Sequence, residues 1–121
     1  MALKKTEYKD FVYVWYHRQD FRDSVTLKRA LGDLQLSAGE QRDVVVDCAA
    51  CNGLISAELT ALVRMLNSLR GTPRFLRLVV NPRIASAIEA VNLHRQENLV
   101  MYKDQKSFIE AVKRAGAAVQ G

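Results

Sequence analysis

The sequence predicts an α/β fold: one small domain with a mostly parallel β-sheet of about four strands and α-helices packed on it. Three observations carry this reading. Strand-like and helix-like segments alternate through all 121 residues, with no internal repeat, low-complexity tract or Pro/Ser-rich linker between them. Asp43–Cys48 (DVVVDC) is a short continuous apolar run, the pattern of a strand buried on both faces. Leu59, Leu62, Val63, Leu66 and Leu69 follow helical spacing and predict one core-facing stripe.

The elements follow in order. Tyr8–Tyr16 (YKDFVYVWY) is aromatic and β-branched and predicts the first strand. Asp23 or Ser24 caps a helix that sets Val25, Leu27, Ala30, Leu31 and Leu34 near one side. Ser37–Arg42, with Gly39, is a polar turn into the DVVVDC strand. Ser56 stands in the capping position of the Leu-rich helix, and Gly71 and Pro73 stop it. Arg74–Val80 (RFLRLVV) is the third strand. Asn81-Pro82 supplies a cap and a first-turn proline for a helix to about Asn92, with Ile84, Ala87, Ile88 and Val91 inward. Leu99–Tyr102 is a short fourth strand, and Asp104 caps a last helix carrying Phe108, Ile109 and Val112. The core spans about residues 8–115, and Gly116–Gly121 is expected to fray. Sites in open parallel sheets gather at the carboxyl ends of the strands, which singles out the loop from Cys48 to Ser56.

Composition removes several function classes. No run approaches the ~20 apolar residues of a membrane span, and Met1–Glu7 lacks the apolar centre of a secretory signal. A cytoplasmic location is therefore expected. Two Cys cannot make a disulfide framework, and two Cys with two His are a poor ligand set for structural zinc. No metal or cofactor is expected. The net charge is +5, from 18 Lys+Arg against 13 Asp+Glu. Leu59 to Ala87 holds Arg64, Arg70, Arg74, Arg77 and Arg83 and no acid, so all the excess positive charge falls there. A solvated basic face is the plainest reading, and a docking surface for an acidic partner is the next. Nucleic-acid binding would want clustered Lys/Arg with interleaved aromatics, and none is present.

Two constellations occupy the singled-out loop. Cys48-Ala49-Ala50-Cys51 has the C-x-x-C spacing of thiol redox sites. Such sites place the attacking Cys at a helix N-terminus, whereas Asn52-Gly53-Leu54-Ile55 separates Cys51 from the helix near Ser56. Two structural thiols are the favoured reading, with Cys48 ending a buried strand. Ser56 is first of all a cap. The same helix N-terminus offers free N–H donors and partial positive charge, which would also tolerate a phosphate.

Asp43-Val-Val-Val-Asp47, the short loop into Ile55-Ser56-Ala57-Glu58 and the Leu-rich helix together resemble the STAS domain of anti-sigma factor antagonists. The Arg74–Val80 strand, the Asn81-Pro82 helix and Val91-Asn92-Leu93 are similar to the same family's second half, so the resemblance runs from about Phe11 to Val112. The family follows its strand-ending Asp with Asp-Ser-x-Gly, whose Ser is phosphorylated. Asp47 matches the first Asp and Ser56 the phosphorylated Ser, while Ile55 replaces the signature Asp and Glu58 the Gly. Members usually carry an extra strand before Tyr8–Tyr16, for which Met1–Thr6 leaves little room. The resemblance implies a bacterial, non-catalytic transcription regulator. It would bind a serine-kinase-type anti-sigma factor and be switched by phosphorylation at Ser56. Its partner-binding residues would be Ala49, Ala50, Asn52, Gly53, Ile55, Ser56, Ala57, Glu58, Arg64 and Asn67.

A second reading keeps the fold and makes the chain a non-phosphorylated accessory subunit of an ABC-type ATPase or a signalling scaffold. An enzyme has little behind it: no Gly-rich phosphate loop or nucleophile–base pair occurs, and His17 and His94 read as exposed turn residues. Self-association is a further reading, through an edge at the Tyr13, Trp15 and Tyr16 strand.

Overall fold

The computed structural model describes residues 3–38 and 42–120, with side chains as far as Arg114. The expected turn at Gly39 and the expected fraying of Gly116–Gly121 lie outside the described residues. Five strands, β1 (Lys4–Glu7), β2 (Phe11–Trp15), β3 (Asp43–Asp47), β4 (Leu76–Val79) and β5 (Leu99–Tyr102), alternate with α1 (Ser24–Ser37), α2 (Ser56–Leu69), α3 (Pro82–Ala90) and α4 (Gln105–Gln120) after the initial β1–β2 pair. The strands lie side by side in sequence order. β1 runs antiparallel to β2, and β2 through β5 are parallel.

The fifth strand corrects the expectation of about four. β1 is KKTE, with no apolar alternation to announce it. It forms because β2 presents an open edge, and Lys4↔Trp15 through Glu7↔Val12 fill it. The Tyr13, Trp15 and Tyr16 strand is accordingly internal, so it offers no edge for self-association. The predicted first and third strands also shorten, to Phe11–Trp15 and Leu76–Val79.

Strand order explains the layering. Right-handed crossovers that step always to the next neighbour put every crossover helix on one face. α1, α2 and α3 therefore share a core with Val12, Val14, Val44, Val46, Leu76 and Leu78. The alternate residues Tyr13, Val45 and Val79 face the other way and meet Phe108 of α4. Phe108 stands edge-on to Phe11 and Tyr102, with ring centroids 5.5 and 5.2 Å away.

The helix caps follow local chemistry. Oδ1 of Asp23 accepts from the Thr26 N–H at 2.8 Å, Oδ1 of Asn81 from Ile84 at 2.9 Å, and Oδ1 of Asp104 from Ser107 at 2.7 Å. The helix faces are less faithful to expectation. The buried stripe of α2 is Glu58, Ala61, Leu62, Met65, Leu66 and Leu69. Val63, expected inside, is 39% exposed, and Leu59 is only half-buried. Anchoring the period on Leu59 rotates the helix by one position, because a glutamate holds the true first place. Val25, Val91, Ile109 and Val112 are likewise exposed rather than inward, and Ala87 is half-buried.

The phase of α2 can be checked by truncation. Met65→Ala should cost roughly 2–5 kcal/mol in urea unfolding, whereas Val63→Ala should cost under about 1 kcal/mol. Equal losses would contradict this orientation of the helix.

Candidate functional site

The loop between β3 and α2 begins at Asp47. Its Oδ2 accepts from the Tyr13 hydroxyl at 2.6 Å, and its Oδ1 from the Ala49 N–H at 3.2 Å, so the carboxylate turns the chain as it leaves the sheet. Asn81 holds the other side of the turn. Its Nδ2 donates to the carbonyls of Ala49 (2.8 Å) and Cys51 (2.6 Å) while its Oδ1 caps α3. Gly53 then takes φ 142°, a conformation closed to side-chain-bearing residues except under strain.

The two thiols are structural. Cys48 and Cys51 are buried, free, and directed at the carbonyl oxygens of Val79 (3.4 Å) and Tyr16 (3.5 Å). Burial pushes both thiols above the ordinary value of 9.0, the opposite of what a thiolate nucleophile needs.

Glu58 organises the far end of the loop. Only 3% exposed, it accepts from Arg18 Nη1 at 2.6 Å, from the Ile55 N–H at 2.8 Å and from the Tyr16 hydroxyl in a short contact. Arg18 Nη1 also reaches the Gly53 carbonyl at 3.3 Å. One carboxylate thus ties the end of β2, the 3₁₀ turn Arg18–Asp20, the loop and the first turn of α2 into a single knot. Two sequence expectations change here. Glu58 is not a surface contact, because its side chain is enclosed and its charge is matched by Arg18. Nor is Ser56 the cap: Ile55 occupies that position with φ −96° and ψ 165°, and the reciprocal bond of Glu58 replaces a capping side chain.

Ser56 becomes the first residue of α2, and it is exposed. Around it Ala50, Asn52, Ile55 and Ala57 are exposed, as are Arg64 and Asn67 further along α2, while Ala49 and Gly53 are half-buried. Leu59, Thr60, Val63, Arg64, Asn67, Val91 and Leu93 line a groove of about 480 Å³ that continues this surface. The apolar members of that groove escaped sequence reasoning because they had been assigned to the core. The signal was the unbroken 58-61-62-65-66-69 spacing, which leaves Leu59 and Val63 to one side.

The basic segment does not form one patch. Arg64, Arg70 and Arg83 are exposed, but Arg74 donates to the Ala38 carbonyl at 2.9 Å. Arg77 lies on the opposite sheet face, paired with Asp43 at 2.9 Å and donating to the Tyr102 hydroxyl at 2.6 Å. His17 and His94 are exposed, and among the described residues no three His, Cys, Asp or Glu side chains converge as metal ligands. No described helix is long and apolar enough to cross a membrane.

Glu58→Ala should destabilise the chain by about 3 kcal/mol in urea unfolding, since it leaves Arg18, Tyr16 and the Ile55 N–H without their acceptor. A loss no larger than that of an exposed alanine substitution would show that the knot is not structural. Alkali gives a second check. Burial, then the adjoining carboxylates, raise the Tyr13 and Tyr16 phenols above 10.0, as burial raises both thiols above 9.0. For all four, the unfolded chain loses its proton first. Their stability is therefore intact below about pH 9 and falls as pH rises, with a limiting slope of about 1.4 kcal/mol per pH unit for each group. Urea titrations between about pH 8 and pH 11 measure it, and a flat profile would contradict these burials.

No family model matches the sequence, and no curated protein matches it. Among solved structures, the chain resembles a Thermotoga maritima protein proposed to be an anti-sigma factor antagonist. The TM-score is 0.65 with 18% identity, over 92% of this chain and 94% of that one. The likeness shows a shared fold, the STAS-like α/β arrangement that the sequence resemblance implies.

Proposed function

We propose that this chain acts by binding, as an anti-sigma factor antagonist whose docking surface is the Ala49–Ser56 lip with the exposed face of α2. The observation that carries this is the placement of Ser56. It is exposed on the first turn of α2, in a loop fixed by Asp47, Asn81 and Glu58, on the fold shared with the Thermotoga maritima protein. A binding surface of this kind works by being rigid before the partner arrives, so that little ordering entropy is lost on contact. Ala50, Asn52, Ile55, Ala57, Arg64 and Asn67 are the direct contacts, with Ala49 and Gly53 shaping the lip. The partner is a serine-kinase-type anti-sigma factor, and Ser56 is the phosphorylated switch. A phosphate there would bring ~−2 charge and its hydration shell into the interface. Glu58 would not oppose phosphorylation strongly, because Arg18 already matches its charge.

One observation favours the accessory-subunit reading instead. Ile55 puts an exposed apolar side chain where the family signature has Asp, which suits a permanent contact better than a phosphoswitch. Affinity measurements on the complex isolated from native cells separate the two. Under the switch reading, Ser56→Asp weakens partner binding by roughly tenfold or more, Ser56→Ala leaves it nearly unchanged, and unfolding is unaffected in both. Indifference to Ser56→Asp, with an ABC-type ATPase as the co-purifying protein, would replace the switch with the accessory role. Arg64→Glu should weaken binding under either reading, through the rim of the same groove.

A further inference from the structure

The two edges of the sheet are built differently. β1 closes one side with Lys4, Lys5 and Glu7, the charged composition that keeps an edge from pairing. The other edge is β5, Leu99-Val100-Met101-Tyr102, with no charge, glycine or proline. The carbonyls of Asn98 and Tyr102 accept from Leu76 (2.7 Å) and Val80 (2.9 Å), so the even-numbered residues address β4. By strand alternation, the main-chain groups of Leu99 and Met101 point away from the sheet. The Leu99 N–H is taken by the Gln96 carbonyl at 3.2 Å, which leaves the Leu99 carbonyl and both Met101 groups as the outward set.

We propose that β5 pairs antiparallel with β5 of a second copy, with Val100 on the two-fold axis. This inference does not rest on the docking function. The register is chosen by charge. Glu97 and Lys103 flank the strand at equal distances from Val100, and both are exposed. Pairing about Val100 sets each Glu97 opposite the Lys103 of the other copy, and each Leu99 opposite the other Met101. Each Met101 N–H then donates to the other copy's Leu99 carbonyl. The Val100 side chains meet as a close β-branched cross-strand pair. Shifting the centre to Met101 would bring Leu99 opposite Lys103, and shifting it to Leu99 would bring Glu97 opposite Met101. Each shift loses both ion pairs. A second copy is therefore the occupant this edge is complementary to, and the paired chains share one continuous ten-stranded sheet, twice the five of each copy.

Sedimentation equilibrium from about 10 µM to about 1 mM chain tests this, the range expected for a short pairing edge. The mass should climb from 13.6 kDa toward twice that value. Glu97→Lys alone, or Lys103→Glu alone, faces like charges across both ends and should weaken the dimer roughly tenfold. An equimolar mixture of these two variants restores both opposite-charge pairs in the mixed dimer and should regain the original affinity. A protein that stays at 13.6 kDa throughout overturns the proposal. So does a dimer indifferent to the single reversals, or a mixture that fails to recover.

Discussion

A single buried carboxylate sets the geometry on which the candidate surface depends. Glu58 occupies the first core-facing position of α2, where an apolar residue would ordinarily sit, and an ion there is tolerable only when fully partnered. Arg18, Tyr16 and the Ile55 amide supply the partners. In doing so they bring three chain segments, remote in sequence, to one point. The helix start is thereby fixed in both rotation and height, and the exposed serine that precedes Glu58 by two residues inherits that precision. Hydrophobic contact alone is non-directional and would leave the helix end free to fray.

The loop is held from its other side by groups that belong to the sheet. Asp47 leaves β3 and Asn81 follows β4, so the carboxyl ends of two adjacent strands grip the same turn. The thiols within that turn fill space and accept no chemistry, since their desolvation favours the protonated form. Rigidity here comes from satisfied main-chain groups rather than from a crosslink.

Much of this was legible from local sequence. Asp23, Asn81 and Asp104 cap helices through bonds that span three residues, so their surroundings travel with them. The DVVVDC strand and the Leu99–Tyr102 strand likewise state their own burial. What stayed hidden was set at long range. Lys4–Glu7 becomes a strand only because β2 offers it a ladder, and nothing in KKTE says so. Glu58 looks like a solvated helix residue until Arg18, 40 positions earlier, is seen beside it. Missing Glu58 also mis-phased α2 and hid the groove beside Val63. Arg77 read as part of a basic cluster because strand alternation sends neighbours in sequence to opposite faces.

The one-sided winding of the crossovers has a consequence for how the molecule breathes. Three helices share the first face, and α4 alone shields the second, gripping it through Phe108 while Ile109 and Val112 remain exposed. Amide exchange protection should therefore grade from β3 and β4 outward, with α4 opening in excursions that leave the rest of the molecule native. Such openings would bare Tyr13 and Val45 transiently, while the knot at Glu58, on the opposite face, stays shut.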